Sequence, residues 1–520
     1  MPTAELEVRR GVELATRGGS ARATADYYLL PRSETEAALA LAEARRRVPA
    51  GATAALTFAG AERSFEAHFL PRAVSPRVIV SSRRLRGDVQ VLGTTTTTRG
   101  EPAVAVRALA GTSFGELLSA VKRAGFETMP FSCPTADAIS LGGALAVNTH
   151  SRTSATYGGL FAEHVRRFTL LGADGLRYDC HAEATSALER RLFRYVPGAL
   201  GALGLVTELE LELTPMAADA RVVTEVLDRR ENDPAGSVAA FLERLAADER
   251  ARDFSEGFSL VFFGPPGRGT GVVVGRRRGA AHEPRRATLP LFRENADLNL
   301  LVQLFAHRFP GVSRRLAARL LAPGRSFSAP YYRWAFFQSS FDDGAQRLAR
   351  RSSEAPPALT QELGLVHQGW VLTSAALGPF VALASELFAD PDFRPIADAL
   401  EFFDVLPLPA PVAPLDPSRS LATESASTGA GATRTHVLTL SIAVREARTR
   451  ELAKSFCRTL TERAASQGLG VVVQLNKQHH ASPTLLRAMH RTALSELASL
   501  KAEVDQSGLI GSRTLERLGL

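Results

Sequence analysis

The stretch SLGGALAVNTHS, Ser140 to Ser151, decides the reading of this chain. Two adjacent glycines, Gly142 and Gly143, open a short apolar run that ends on Asn148, Thr149, His150 and Ser151. Neither a plain core helix nor a plain strand needs that ending. Glycine carries no Cβ, so paired glycines let the backbone come close to a bulky neighbour. The short polar residues that follow offer donors and acceptors to whatever lies there. The segment reads as backbone laid along a ligand.

Two further stretches have the same character. FAGAERSF (Phe58 to Phe65) is a small-residue turn after a strand. Exposed backbone N–H groups in such a turn can cradle a phosphate. GALGLVTE (Gly201 to Glu208) again permits close backbone approach. The spacing Gly198, Gly201, Gly204 is not the G-x-G-x-x-G fingerprint and precedes a strand, which disfavours a Rossmann dinucleotide site. Each stretch alone is a weak signal, because a glycine pair is most often only a turn.

The bulk numbers bound the answer. A chain of 520 residues exceeds one ordinary core, so two or more domains are expected. Hydrophobic residues at 45% and charged residues at 22% argue against wholesale disorder. Cys133, Cys180 and Cys457 lie far apart without metal-ligand spacing. That predicts no disulfide framework, no metal site and a reducing compartment. The first residues carry charges where a signal peptide needs an apolar core, and no apolar run is long enough for a bilayer span. The expectation is a soluble, cytoplasmic protein. The net charge of +8 rests on arginine, the lysines being Lys122, Lys454, Lys477 and Lys501. The basic clusters Arg276 to Arg278 and Arg314–Arg315 lack interleaved aromatics, so no nucleic-acid partner is expected. A solvated basic face explains the charge best, ahead of an anionic cofactor.

Pattern places the elements. Ser33 and Glu36 predict a capping box for a helix within Pro31 to Arg47, and Ser113 and Glu116 one for FGELLSAVKRAG. TAALTFAG, RVIVSS, DVQVL and AVAVRALAG read as strands, with the threonine run 94–98 as a loop or edge segment. FTLLGADGLRYDC reads as a hairpin turning at Asp174–Gly175, followed by the strand LVTELELEL. These make an α+β unit up to Pro215. From Met216 to Gly470 the strands SLVFFG, GVVVG and THVLTLSIAV alternate with Arg- and Pro-rich connections. Pro407 to Pro417 reads as an extended linker and ESASTGAGATRT as a mobile one. VVVQLNKQHH reads as a strand, followed by one helix with Leu485, Met489 and Leu494 on one side.

Taken in order, the stretches PRSETE, AGAERSF, ISLGGALAVNTHS, YGGLFAEHV, LLGADG and LGLVTELELEL resemble the vanillyl-alcohol-oxidase type of FAD-binding proteins, the family of the para-cresol methylhydroxylase domain. The tail NKQ, LRAMH and LKAEVDQSGLI is similar to that of decaprenylphosphoryl-ribose oxidases and alditol oxidases. The resemblance covers about 31–215 and returns near 471. It implies an α+β fold: a two-part FAD domain over 1–215, an inserted α+β cap over 216–470, and a segment 471–520 returning to the FAD domain. It also implies FAD as cofactor. In the first loop it assigns to FAD Ala59, Gly60, Ala61, Glu62, Arg63, Ser64 and Phe65. Next come Pro134 and Thr135, then Ser140, Gly142, Gly143, Asn148, Thr149, His150 and Ser151. Tyr157, Gly158, Gly159, Gly204 and Val206 complete the set. Members with a histidyl–flavin bond carry histidine where this chain has Arg63, so non-covalent FAD is expected. His68 is the lesser alternative, and Cys133 fits a buried thiol better than a second link.

A flavin oxidation needs hydride transfer to the cofactor, a base, and positive charge beside the flavin. Lys477 matches a tail lysine of the sugar-oxidase relatives that reaches their active site; Gln478 and His479 read as its supports. His150 is a second catalytic candidate, with hydrogen bonding inside its loop as the plainer role. In APYYRW, Tyr331, Tyr332 and Arg333 suit a phenolate or carboxylate, against the commoner packing role of aromatics. His367, Asp404 and His436 are cap residues without a distinguishing signal. The leading expectation is an FAD-dependent oxidase or dehydrogenase of a small-molecule substrate, in specialised-metabolite tailoring. Oxidative decarboxylation of a phenolic or amino-acid-derived acid and oxidation of a sugar or sugar-lipid alcohol are the enzymic alternatives. A flavin-binding scaffold without turnover is the non-enzymic one.

Overall fold

The computed structural model describes residues 6–16, 21–62, 64, 66–97, 100–128, 139–150, 160–217, 220–251, 257–279, 312, 321–330, 364–408, 434–444 and 446–520. Within them the chain is α+β, built on three sheets. Arg63, Phe65, Cys133, Pro134, Thr135, Ser151, Tyr157, Gly158, Gly159, Tyr331, Tyr332 and Arg333 lie outside the described residues, as do 409–417 and 424–433 of ESASTGAGATRT, whose last residue, Thr435, begins a strand.

The first sheet joins β1 (Glu7–Ala15), β2 (Arg22–Leu30), β3 (Leu56–Ala59) and β4 (Val78–Ser81) in the order β1-β2-β4-β3. The β1–β2 hairpin precedes the first element that pattern suggests. Its outer strand is mostly exposed or half-buried and charged, so it lacks a clear alternation. Between β2 and β3 runs α1 (Glu34–Arg47). Ser33 caps it by accepting from Glu36 N at 3.1 Å. Glu36 does not close a capping box: its carboxylate accepts from Arg32 N at 2.8 Å.

The second sheet runs β5-β6-β9-β7-β8. Its strands are β5 (Gln90–Thr96), β6 (Pro102–Leu109), β7 (Val165–Leu171), β8 (Arg177–His181) and β9 (Leu205–Leu213). Thr94 to Thr96 of the threonine run lie on edge strand β5. The β7–β8 hairpin turns through Gly175 at φ +84°, a left-handed value that favours glycine. α2 (Phe114–Arg123) begins with a complete capping box of Ser113 and Glu116. α3 (Leu141–Ala146) and α4 (Ala187–Tyr195) follow.

The third sheet has eight strands in the order β13-β10-β12-β11-β15-β16-β14-β17. They are β10 (Arg221–Glu231), β11 (Gly257–Phe263), β12 (Thr270–Gly279), β13 (Ser326–Pro330), β14 (Gly364–Thr373), β15 (Leu400–Pro407), β16 (Thr435–Val444) and β17 (Val472–Val473). Helices α5 (Pro234–Ala251), α6 (Ser374–Ala389), α7 (Arg394–Ala397) and α8 (Ala447–Ser466) accompany it. Trp370 of β14 points to that helical layer, donating Nε1–H to Thr461 Oγ1 of α8 at 2.9 Å. Phe388 of α6 and Phe456 of α8 meet at 4.3 Å between centroids, their planes tilted by 35°. Side chains alternate along a strand, so the odd residues of β14 face away from these helices. That face carries His367.

The tail departs from the simple reading. VVVQLNKQHH supplies only the two residues of β17; the rest is turn, closed by Gln478 N donating to His367 O at 3.0 Å. The single expected helix is two, α9 (Pro483–Met489) and α10 (Arg491–Val504), divided at His490. His490 lies buried there and donates Nε2–H to Val473 O at 2.9 Å. Then α10 hands over to a loop fastened by buried Asp505, which accepts from Lys501 Nζ, Leu509 N and Ile510 N, each at 2.8 Å. That loop runs beside β3, where Leu56 N donates to Leu509 O at 2.9 Å and Thr57 Oγ1 to Gly511 O at 2.6 Å. α11 (Arg513–Leu518) ends the chain. Among the described residues no helix is long and apolar enough to cross a membrane.

Candidate functional site

One cleft gathers most of the described residues among those singled out above. Its walls enclose about 1780 Å³ of space, part of it open to solvent.

The first wall is the turn after β3. Ala59, Gly60, Ala61, Glu62 and Ser64 line the cleft. The turn is tied to the second wall by Ala61 N donating to Ser140 Oγ at 3.2 Å. A Cβ on Gly60 would stand 2.8 Å from that oxygen and 3.2 Å from Gly143 Cα, so glycine is needed for the two segments to meet. Glu62 has φ +59°, and its carboxylate accepts from Tyr28 OH. Burial, then the Glu62 charge, push the Tyr28 phenol well above its ordinary range.

The second wall is α3 and its exit. Ser140, Gly142, Gly143, Thr149 and His150 line the cleft. Gly142 is required for packing: a Cβ there would stand 2.8 Å from Ala110 Cβ. Asn148 is not a lining residue. It is buried at φ +44°, and its Oδ1 accepts from Ala162 N at 3.1 Å, which fixes the chain's return. Gln474 Nε2 approaches His150 Nδ1 at 3.5 Å.

The third wall is 196–206, where Gly201, Gly204 and Val206 line the cleft among Leu200, Leu203 and Leu205. Leu200 N donates to Ala146 O at 2.8 Å and fastens this wall to α3.

The eight-stranded sheet and the tail close the cleft. His367 on β14, Asp404 on β15, Thr439 and Ser441 on β16, and Asn476 and Lys477 line it. Register explains the grouping: His367 pairs with Ser441 and Asp404 with Thr439, so each pair shares a face. His367 Nδ1 and Ser441 Oγ are 2.7 Å apart. The tail turn is fixed by Gln474 N donating to Gly369 O at 2.9 Å and by Gln478 Oε1 accepting from His367 N at 2.7 Å. His479 N donates to Glu66 Oε2 at 3.2 Å, linking the tail to the first loop. His436 lies elsewhere, with Nε2 2.8 Å from Ser374 Oγ. Sequence singled out Lys477 and His150. It had no signal for Thr439, Ser441 or Asn476, because each is an ordinary polar residue on a strand or turn.

Burial also sets protonation. It pushes the His68 and His490 rings down to about 4 and the His436 ring to about 3, the last helped by the Arg434 charge. His479 is held well below its ordinary 6.5, by burial first and then by the charges of Arg517 and His490. These rings stay neutral in the fold at a pH where unfolded ones, with pKa about 6.5, take protons. Their stabilisation is therefore present above pH 6.5 and lost as pH falls to about 4. The thermal midpoint, measured from pH 8 to 4, is expected to be level above about pH 7 and to fall steadily below it. A midpoint level down to pH 5 would contradict these assignments.

A scan against protein-family models finds no match for this chain, and neither does a comparison with curated proteins.

Proposed function

We propose that the chain binds FAD non-covalently and is an FAD-dependent oxidoreductase of a small organic substrate. The observation that carries this reading is convergence. The stretches around 60, 142 and 204, far apart in sequence, line one cleft together with Lys477.

The lining suits a flat, partly polar cofactor. Leucine and valine side chains of the third wall give an apolar surface. His68 and Asn476 line the same cleft with buried polar atoms that have no partner among the described residues. A ligand rich in donors and acceptors would satisfy them. The cleft-lining residues among 60–62, Ser64, Ser140, Gly142, Gly143, Gly201, Gly204 and Val206 would hold the group. FAD, when bound, supplies the two-electron redox chemistry by accepting hydride from carbon.

The chain's own residues do the rest. Lys477 brings a positive charge or a proton donor to the cleft. His150 brings an imidazole, with one donor and one acceptor when neutral, to the cleft wall. His367 with Ser441, and Asp404 with Thr439, form a polar wall that orients a substrate bearing hydroxyl or amine groups. The sugar-alcohol alternative fits that wall. The phenolic-acid alternative rested on Tyr331, Tyr332 and Arg333, which lie outside the described residues.

The test is the visible absorption spectrum of the purified protein, repeated on the supernatant after acid precipitation. Flavin bands that move to the supernatant are expected. Bands left in the pellet would overturn the non-covalent part. A colourless protein that takes up no added FAD would overturn the whole reading.

A further inference from the structure

We propose that the buried imidazole of His68 is a ligand-contact group of the cleft, hydrogen-bonding the bound cofactor. This rests on the FAD reading.

His68 is 5% exposed, yet it lines the cleft. Both its ring nitrogens are buried without a hydrogen-bond partner among the described residues. A neutral imidazole carries one N–H donor and one acceptor, and leaving both unmet inside a protein is costly. Its neighbours do not meet them. Glu66 Oε1 accepts from Ala67 N at 2.9 Å, and Oε2 from His479 N at 3.2 Å. The carboxylate therefore serves backbone amides. His479 is itself buried with both ring nitrogens unmet among the described residues.

The ring is also held in place. Leu70 N donates to Ala67 O at 3.1 Å, closing the turn that carries His68. Arg513 N donates to Leu70 O at 3.1 Å, and Arg513 Nε to Pro71 O at 3.2 Å, so α11 clamps that turn. A fixed, buried, neutral donor–acceptor pair at the wall of a cleft suits a heteroaromatic ligand with carbonyl and N–H groups on its edge. Burial keeps His68 neutral at physiological pH, so it presents both functions there.

The experiment titrates FAD into the apo form of the full chain, following flavin fluorescence, for wild type, His68→Leu and His68→Gln. Leucine is expected to weaken FAD binding about tenfold, without lowering the thermal midpoint of the apo protein. Glutamine keeps a donor and an acceptor and is expected to recover most of the affinity. A wild type that binds FAD and a leucine variant that binds it equally well, with an unchanged visible spectrum, overturn the assignment while sparing the FAD reading. A wild type that binds no FAD overturns both. Should the leucine variant fail to fold, wild type labelled with ring-15N histidine decides. The His68 nitrogen signals shift when FAD is added if the assignment holds, and stay in place if it does not.

Discussion

Replacing Lys477 by methionine is expected to lower turnover by about 10²–10⁴-fold while the flavin stays bound. The side chain lines the cleft, and methionine keeps much of the apolar stem but removes the charge and the donors. The backbone should not notice. The turn that carries Lys477 is held by Gln474 and Gln478, whose amides donate to the carbonyls of Gly369 and His367. Steady-state rates on the best substrate from a panel of polyols and phenolic acids give one half of the test. The flavin-to-protein ratio gives the other. A variant with full turnover removes Lys477 from the chemistry. A variant that has lost its flavin instead makes it a cofactor-binding residue.

Gly204→Ala should be the most damaging single methyl in the cleft wall. Gly204 has φ +145°, and a Cβ there would lie 2.4 Å from Leu171 O and 3.1 Å from Leu171 C. Those are backbone atoms of β7, and Leu171 pairs with Leu205 in the sheet. Neither strand can yield without breaking the ladder between β7 and β9. A fall in thermal midpoint on the order of 5–10 °C is expected, with weaker FAD uptake because Gly204 also lines the cleft. Gly87→Ala is the control. Its φ is not left-handed, and its added Cβ would meet only the end of the Leu109 side chain, at 3.3 Å. Equal losses at both positions would refute the steric argument.

Local chemistry was readable wherever a few neighbouring residues settle the conformation. Ser113 with Glu116 closes a capping box because both partners lie within one turn. Asp174–Gly175 turns a hairpin because the strands on either side follow at once. The same locality explains the misreadings. Val471 to His480 has strand-like composition, but its ladder with β14 covers Val472 and Val473, and beyond them Gln478 makes an isolated bridge. His490 divides the last long helix because its ring binds Val473 O, an acceptor that its own segment does not contain.

The sequence by itself determined the three glycine-bearing stretches, the lysine and histidine worth watching, and the helix caps and turns around them. These follow from glycine's missing Cβ, from hydrogen bonds a few residues apart and from side-chain chemistry. Only the tertiary structure decided that those stretches share one cleft, and that His367, Asp404, Thr439 and Ser441 form its far wall. Which face a strand residue takes, and which residue it meets, depends on register between strands distant in sequence: His367 meets Ser441 through the pairing of β14 with β16. The same long-range packing buried His68 in the cleft wall and left its ring nitrogens without a protein partner among the described residues.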